Sequence, residues 1–133
     1  MKTTAGDIMT TNVYTIRTTT TVGEAVKLLI NFRITGLPVI NKKGKIVGIF
    51  SEYDVLRQIS QEEDLTPEVF KKKVVFSKKV DSILATESLD VVIERFIHSK
   101  FRRLPVVDKK GELQGIITRR DLMRVFYYRA ALG

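Results

Sequence analysis

Apolar and polar positions change period several times along the 133 residues, and each change predicts an element. Residues 13–16, Val-Tyr-Thr-Ile, form a β-prone run that predicts a strand. Thr18 to Thr21 make a polar break. Thr21, with Glu24 three residues on, carries the signature of a capping box. Val22, Ala25, Val26 and Leu29 then share one helical face, in a helix predicted to end near Arg33. Residues 37–40 and 46–50 predict two strands. They are joined by Asn41-Lys42-Lys43-Gly44, with the Asn-first, Gly-last chemistry of a type I turn. Ser51 caps a helix predicted from Glu52 to about Ser60.

The order then repeats. Residues 80–84 predict a strand, and Ser88 caps a helix. On that helix Leu89, Val92, Ile93, Phe96 and Ile97 fall at i, i+3, i+4, i+7 and i+8, which predicts one buried stripe. Residues 104–107 and 113–117 predict a hairpin around Asp108-Lys109-Lys110-Gly111, and Thr118 caps a last helix running to about Ala130. Between the copies, Thr66-Pro67-Glu68 places a cap, a Pro and an acid where a short linking helix would start. Lys71-Lys72-Lys73 closes it.

The repetition is one of residues as well as of pattern. Shifting the chain by 67 residues aligns positions 9–56 with 76–123 and leaves 13 identities, including Leu37-Pro38-Val39, Gly44, Gly48 and Asp54 with their partners. Average residue usage would leave about three. The chain is therefore an internal duplication of a β-α-β-β-α unit, and its fold class is α/β (α+β). The expected boundaries are 1–61 for the first repeat, 62–73 for the linker helix and 74–133 for the second repeat. About 50 residues make a marginal core alone, so the expectation is two copies packed sheet to sheet by a pseudo-twofold.

Composition narrows the function. The absence of cysteine excludes disulfides and thiolate metal sites, and fits a reducing cytoplasm. No apolar run reaches the roughly 20 residues needed to cross a bilayer, and MKTTAGDIMTT has no signal-like apolar core. A cytoplasmic protein without membrane contact is expected. The formal net charge is +8, and it is uneven: residues 1–66 carry 8 basic and 7 acidic side chains, residues 67–133 carry 15 and 8. The second half is thus suited to an anion, unless its charge serves only solubility. His98 is the only histidine, which leaves no His-based triad or multi-His metal site. No carboxylate pair or glycine-rich phosphate loop stands out, so no enzyme and no catalytic cofactor are expected.

Several residues carry a family resemblance: Asp7-Ile8-Met9-Thr10 at the start, Leu-Pro-Val before each turn, Gly-x-hydrophobic-x-Gly-Ile after it, and the closing Ser/Thr-x-x-Asp. The repeat resembles the cystathionine-β-synthase (CBS) domain, and the tandem resembles a CBS pair, or Bateman module, over residues 5–60 and 72–128. The resemblance implies an adenosine-containing ligand (AMP, ADP, ATP or S-adenosylmethionine) in clefts between the repeats. It also implies association into homodimers, and a regulated partner protein that senses the ligand.

Ser51-x-x-Asp54 and Thr118-x-x-Asp121 sit where a strand gives way to a helix. A helix start suits phosphate, and a carboxylate one turn on suits both hydroxyls of a ribose. The same residues are equally good helix caps. The family's crossed arrangement implies one cleft made of Tyr14, Thr15, Ile34, Thr35 and Gly36 with Thr118, Arg120 and Asp121. It implies a second made of Ser51 and Asp54 with Ser82, Phe101, Arg102 and Arg103. Ile34 or Phe101 would cover the base, and the arginines would meet phosphate. Asp81 puts a negative charge in the second set, which favours the first. Two other readings stay open: a ligand-free dimerisation scaffold, and a basic nucleic-acid binder. The latter lacks aromatics interleaved with its basic residues at stacking spacing.

Overall fold

The computed structural model describes residues 3–98 and 102–131. It divides into two compact units, each with its own core. The central unit is Tyr14–Val80. The terminal unit joins Met1–Val13 to Asp81–Gly133.

In the central unit, β1 (Ile16–Arg17) is followed by α2 (Val22–Asn31), β2 (Gly36–Ile40), β3 (Ile46–Ser51) and α3 (Glu52–Ser60). The sheet order is β1-β2-β3, with β1 parallel to β2 and β2 antiparallel to β3. Ile16, Ala25, Leu29, Leu37, Val39, Phe50, Val55 and Val74 make the core. The terminal unit repeats the plan with β4 (Ile83–Leu84), α4 (Leu89–His98), β5 (Arg103–Val107), β6 (Leu113–Thr118) and α5 (Arg119–Phe126), preceded by a short α1 (Ala5–Ile8). Its core is Ala5, Ile83, Val92, Leu104, Val106, Ile117 and Leu122. Each unit thus contains the β-α-β-β-α order that the duplication predicts.

The hairpins form as their turn chemistry dictates. Asn41 Oδ1 accepts from the N–H groups of Lys43 and Lys45 at 2.9 and 3.0 Å, and Asp108 Oδ1 does the same for Lys110 and Glu112. Gly44 and Gly111 close these turns with φ of 79° and 84°, a conformation that favours glycine. Thr21 and Glu24 form the expected capping box of α2. The Thr21 backbone N–H, then its hydroxyl, hold the Glu24 carboxyl below the usual carboxylate range.

Four expectations need correction. Of residues 13–16 only Ile16 is in a strand, and of 80–84 only Ile83 and Leu84. β1 meets β2 only at Ile16–Val39 and Arg17–Ile40, and β4 meets β5 only at Ile83–Val106 and Leu84–Val107. A β-prone run without a partner makes no ladder. The linking helix is a 3-10 turn, Pro67–Lys71. Ile97 does not complete a buried stripe: Val92 is buried, but Ile97 is 71% exposed.

Packing regroups the chain relative to its repeats. The segment after the 3-10 turn serves the central unit: the Val22 N–H donates to Lys72 O, the Val74 N–H to Thr20 O, and Ile49 and Ser77 exchange two backbone bonds. Residues before the first strand play the same part in the terminal unit. The Leu89 N–H donates to Thr3 O, the Ala5 N–H to Glu87 O, and Thr10 and Ile116 exchange two bonds.

Gln58 holds the central segment with its side chain. Its Nε2 donates to Lys73 O at 2.9 Å, and its Oε1 accepts from the Val75 N–H at 3.0 Å. It is the buried polar residue of the core, 8% exposed. Gln58→Met keeps the bulk and removes both bonds, so it is expected to cost about 2 kcal/mol and to lower the melting temperature by roughly 8 °C. A thermal melt indistinguishable from the parent protein would show that the amide holds nothing.

Candidate nucleotide-binding site

Ser51 ends β3 in an extended conformation and starts α3. Its backbone N–H donates to Asp54 Oδ2 at 2.8 Å and its hydroxyl to the same oxygen at 3.0 Å. The Asp54 N–H returns a bond to Ser51 Oγ at 3.3 Å. Thr118 and Asp121 repeat this at β6 and α5, with 2.8, 3.1 and 3.2 Å. Both aspartates therefore close capping boxes, as the structural alternative predicts. In both, the box engages Oδ2, and Oδ1 takes no part in it. A capping role therefore uses only one oxygen of each carboxylate.

The helix start is less open to phosphate than the sequence alone suggests. In α3 the Ser51 and Asp54 N–H groups are engaged in the box, and the Glu52 N–H donates to Thr35 O at 3.0 Å. That last bond fixes Thr35 beside the α3 tip. Gly36, buried, lies opposite Ser51 in the ladder. Arg33 adopts a left-handed φ of 52° after α2, and the Ile34 N–H returns to Leu29 O. Ile34 packs, partly buried, against the central core. Tyr14 is stacked on Phe32, with ring centroids 4.0 Å apart and 18° between planes. Tyr14, Thr15, Ile34, Thr35 and Gly36 thus belong to the unit that also carries Ser51 and Asp54.

The terminal unit carries Ser82, Arg102, Arg103, Thr118, Arg120 and Asp121. Arg103 starts β5 opposite Thr118, while Arg102 and Arg120 are exposed. Phe101 lies outside the described residues. Each of the two expected clefts draws on residues of both units. Asp81, the residue that counted against the second set, forms an ion pair with Arg95, whose guanidinium also donates to Ser82 O at 3.1 Å. A neutralised Asp81 removes most of that objection to an anionic ligand.

Asp54 lines a groove of about 170 Å³ with Arg57, Gln58, Gln61, Val75, Phe76 and Ser77. This is below the roughly 300 Å³ of a typical small-molecule pocket, so the groove alone is too small for a whole nucleotide. Sequence reading missed Phe32, Arg57, Gln61, Ser77 and the Arg95 partner of Asp81. The Phe32 ring gave no periodic signal because it caps α2, and the others depend on contacts far apart in the chain. Among the described residues, no group of three or more His, Asp or Glu side chains is placed to hold a metal. No described helix is long and apolar enough to cross a membrane.

Comparison with known proteins supplies the context for this geometry. The CBS domain model matches residues 5–61 and again 72–128. The chloroplastic CBS domain-containing protein CBSX1 of Arabidopsis thaliana is 36% identical over 148 residues, covering 91% of this chain and 63% of that protein. The chain thus spans less than two thirds of that relative's length. Among solved structures, CBSX2 of Arabidopsis thaliana in complex with AMP is 33% identical with a TM-score of 0.79, covering 92% of this chain and 95% of that one. The CBS domain pair of protein MJ0100, in complex with 5'-methylthioadenosine and S-adenosyl-L-methionine, is 27% identical with a TM-score of 0.78, covering 95% and 97%. Two tandem matches that together take in most of the sequence establish that this chain belongs to the CBS domain family.

Proposed function

We propose that the chain is a non-enzymatic regulatory module that binds an adenosine compound, AMP, ADP, ATP or S-adenosylmethionine, through its two Ser/Thr-x-x-Asp elements. The observation that carries this reading is the capping box built twice on Oδ2 of Asp54 and Asp121, which leaves Oδ1 outside it, in a family whose solved relatives include an AMP complex. The carboxylates take the ribose diol. Tyr14, Thr15, Ile34, Thr35 and Gly36 supply backbone and apolar surface to a base, and Arg102, Arg103 and Arg120 supply charge to phosphate. Ser51, Ser82 and Thr118 add polar groups beside them. Ligand binding biases the protein's conformation, and a partner protein in the cytoplasm reads that bias. The module acts as a pair of identical chains.

Micromolar to millimolar affinity, about 4 to 8 kcal/mol, suits a sensor of cellular nucleotides. Ligand at about 100 times its dissociation constant is expected to stabilise the fold by about 2.7 kcal/mol. For a domain of this size that raises the melting temperature by roughly 10 °C. Melts in the presence of each of the four compounds measure it. A melting temperature that none of them moves would leave the scaffold reading in its place.

A further inference from the structure

The groove beside Asp54 lies wholly within the central unit, and of its lining residues only Asp54 and Arg57 are charged. Asp54 gives Oδ2 to its capping box and keeps Oδ1 outside it. Arg57 follows one turn later on α3 and is exposed. Residues three apart on a helix are close enough to pair. Asp54 and Arg57 do not: neither is in a salt bridge among the described residues. Gln61, at the end of α3, and Ser77 add an amide and a hydroxyl, and Val75 and Phe76 add an apolar wall. That wall is fixed at both ends. The Gln58 amide holds Lys73 O and the Val75 N–H, and Ser77 exchanges two backbone bonds with Ile49.

The duplication shows what is particular to this groove. Sixty-seven residues on, Asp54 and Arg57 recur as Asp121 and Arg124. Gln58 and Gln61 do not recur: Val125 and Tyr128 stand at their places, and Met9 stands at the place of Phe76. The charged pair is thus common to both copies, and the two amides are peculiar to the central one. Charge then decides the class of ligand. A phosphate dianion drawn to Arg57 would be repelled by Asp54. An uncharged ligand would leave both charges unanswered. A zwitterion answers both. Its carboxylate takes the Arg57 guanidinium fork, with the Gln61 amide as a further donor, and its ammonium donates to Asp54 Oδ1. At about 170 Å³ the groove has the volume of roughly six waters, which suits the head of an α-amino acid.

We propose that the groove between α3 and residues 75–77 binds an α-ammonium carboxylate through Arg57, Gln61 and Asp54, presented either by a free amino acid or by the amino-acid end of an adenosyl compound. For the second source the proposal rests on the adenosine reading above and deepens it: the element at Asp54 prefers an amino-acid tail, a preference that the element at Asp121 lacks. A carboxylate oxygen has two acceptor sites, so Asp54 Oδ1 can serve an ammonium beside a sugar hydroxyl. For the first source the groove is a second ligand site on the same helix.

Calorimetric titration of the full chain with S-adenosylhomocysteine, 5'-methylthioadenosine, L-methionine and AMP tests this. The first two are uncharged thioethers of adenosine that differ in the amino-acid group. S-adenosylhomocysteine binding at least about tenfold more tightly than 5'-methylthioadenosine assigns the adenosyl source. Binding of L-methionine without that preference assigns the free amino acid. In either case Arg57→Gln is expected to weaken the effect at least about tenfold, and Arg124→Gln to leave it unchanged. Glutamine is a good helix former at this exposed place, so the fold is not at stake. An effect that survives Arg57→Gln, or that Arg124→Gln removes as well, overturns the proposal. So does the absence of both effects in the parent protein. AMP separates the two failures: if AMP binds, only the groove proposal falls, and if none of the four compounds binds, the adenosine reading falls with it.

Discussion

Gly48→Ala is expected to lower the melting temperature by roughly 10 °C. A Cβ at Gly48 would stand 2.2 Å from Phe76 Cδ2 and 2.6 Å from Ser77 O. The ring could swing away, but the carbonyl has nowhere to go. Ile49 donates to that oxygen at 2.9 Å and accepts from the Ser77 N–H at 3.0 Å, so the segment is bonded at the very residue that would have to retreat. Overpacking of this kind costs about 3 kcal/mol, or roughly 10 °C for a chain of this length. Gly115→Ala should cost nearly as much: Met9 Sδ, at 2.7 Å, can move, but Thr10 O, also at 2.7 Å, is held by the same kind of two-bond exchange with Ile116. Gly44→Ala is the control: nothing stands within 4 Å, and only the positive φ opposes it, at about 1 kcal/mol. If Gly48→Ala melts no lower than Gly44→Ala, residues 76 and 77 do not lie on β3 in solution.

The glycine clashes show which parts of the fold were legible in the residues and which were not. The hairpins were legible, because Asn41 and Asp108 each write their own turn through a side chain that bonds two residues and four residues on. The four helices of the repeats were legible from apolar spacing and from Thr21, Ser51, Ser88 and Thr118 as caps. What local pattern cannot express is partnership. The run 13–16 has β propensity throughout, yet Tyr14 stacks on Phe32 and only Ile16 of the run finds a neighbouring strand. Residues 72 and 73 read as the end of the linker and 74–77 as the start of the second repeat, whereas Lys73 and Val75 are held by Gln58 of the central unit, fifteen and seventeen residues away. The short α1 escaped notice because four residues carry no period, although Thr4 and Asp7 form its capping box.

The candidate site was legible in its chemistry and only partly in its geometry. Ser/Thr-x-x-Asp marked the two capping boxes, and each box engages one oxygen of its carboxylate, so the proposed ligand role would fall to the other. The reading of Asp81 as a repulsive charge failed for a simple reason. Its partner Arg95 lies on the following helix, and no spacing rule joins them.

That division of oxygens yields the second large effect, on nucleotide affinity. Asp121→Ala removes both functions at once: about 1 kcal/mol of capping, and the acceptor for a ribose diol. Two hydrogen bonds to a charged acceptor are worth about 1.5 kcal/mol or more apiece, so the dissociation constant is expected to rise at least about 100-fold. Asp121→Asn separates the two roles. Its amide oxygen can still accept from the Thr118 N–H, so the melt stays near that of the parent protein. The diol, however, then meets the amide NH2, which donates and cannot accept, so affinity falls about as far as in Asp121→Ala. The parallel pair at Asp54 decides between the two elements, because Arg95 leaves no electrostatic reason in Asp81 to favour one over the other. Calorimetric titration with AMP reads all four variants. If both alanine variants bind AMP as the parent protein does, each aspartate is a helix cap and nothing more, and the ribose must be held by some other group.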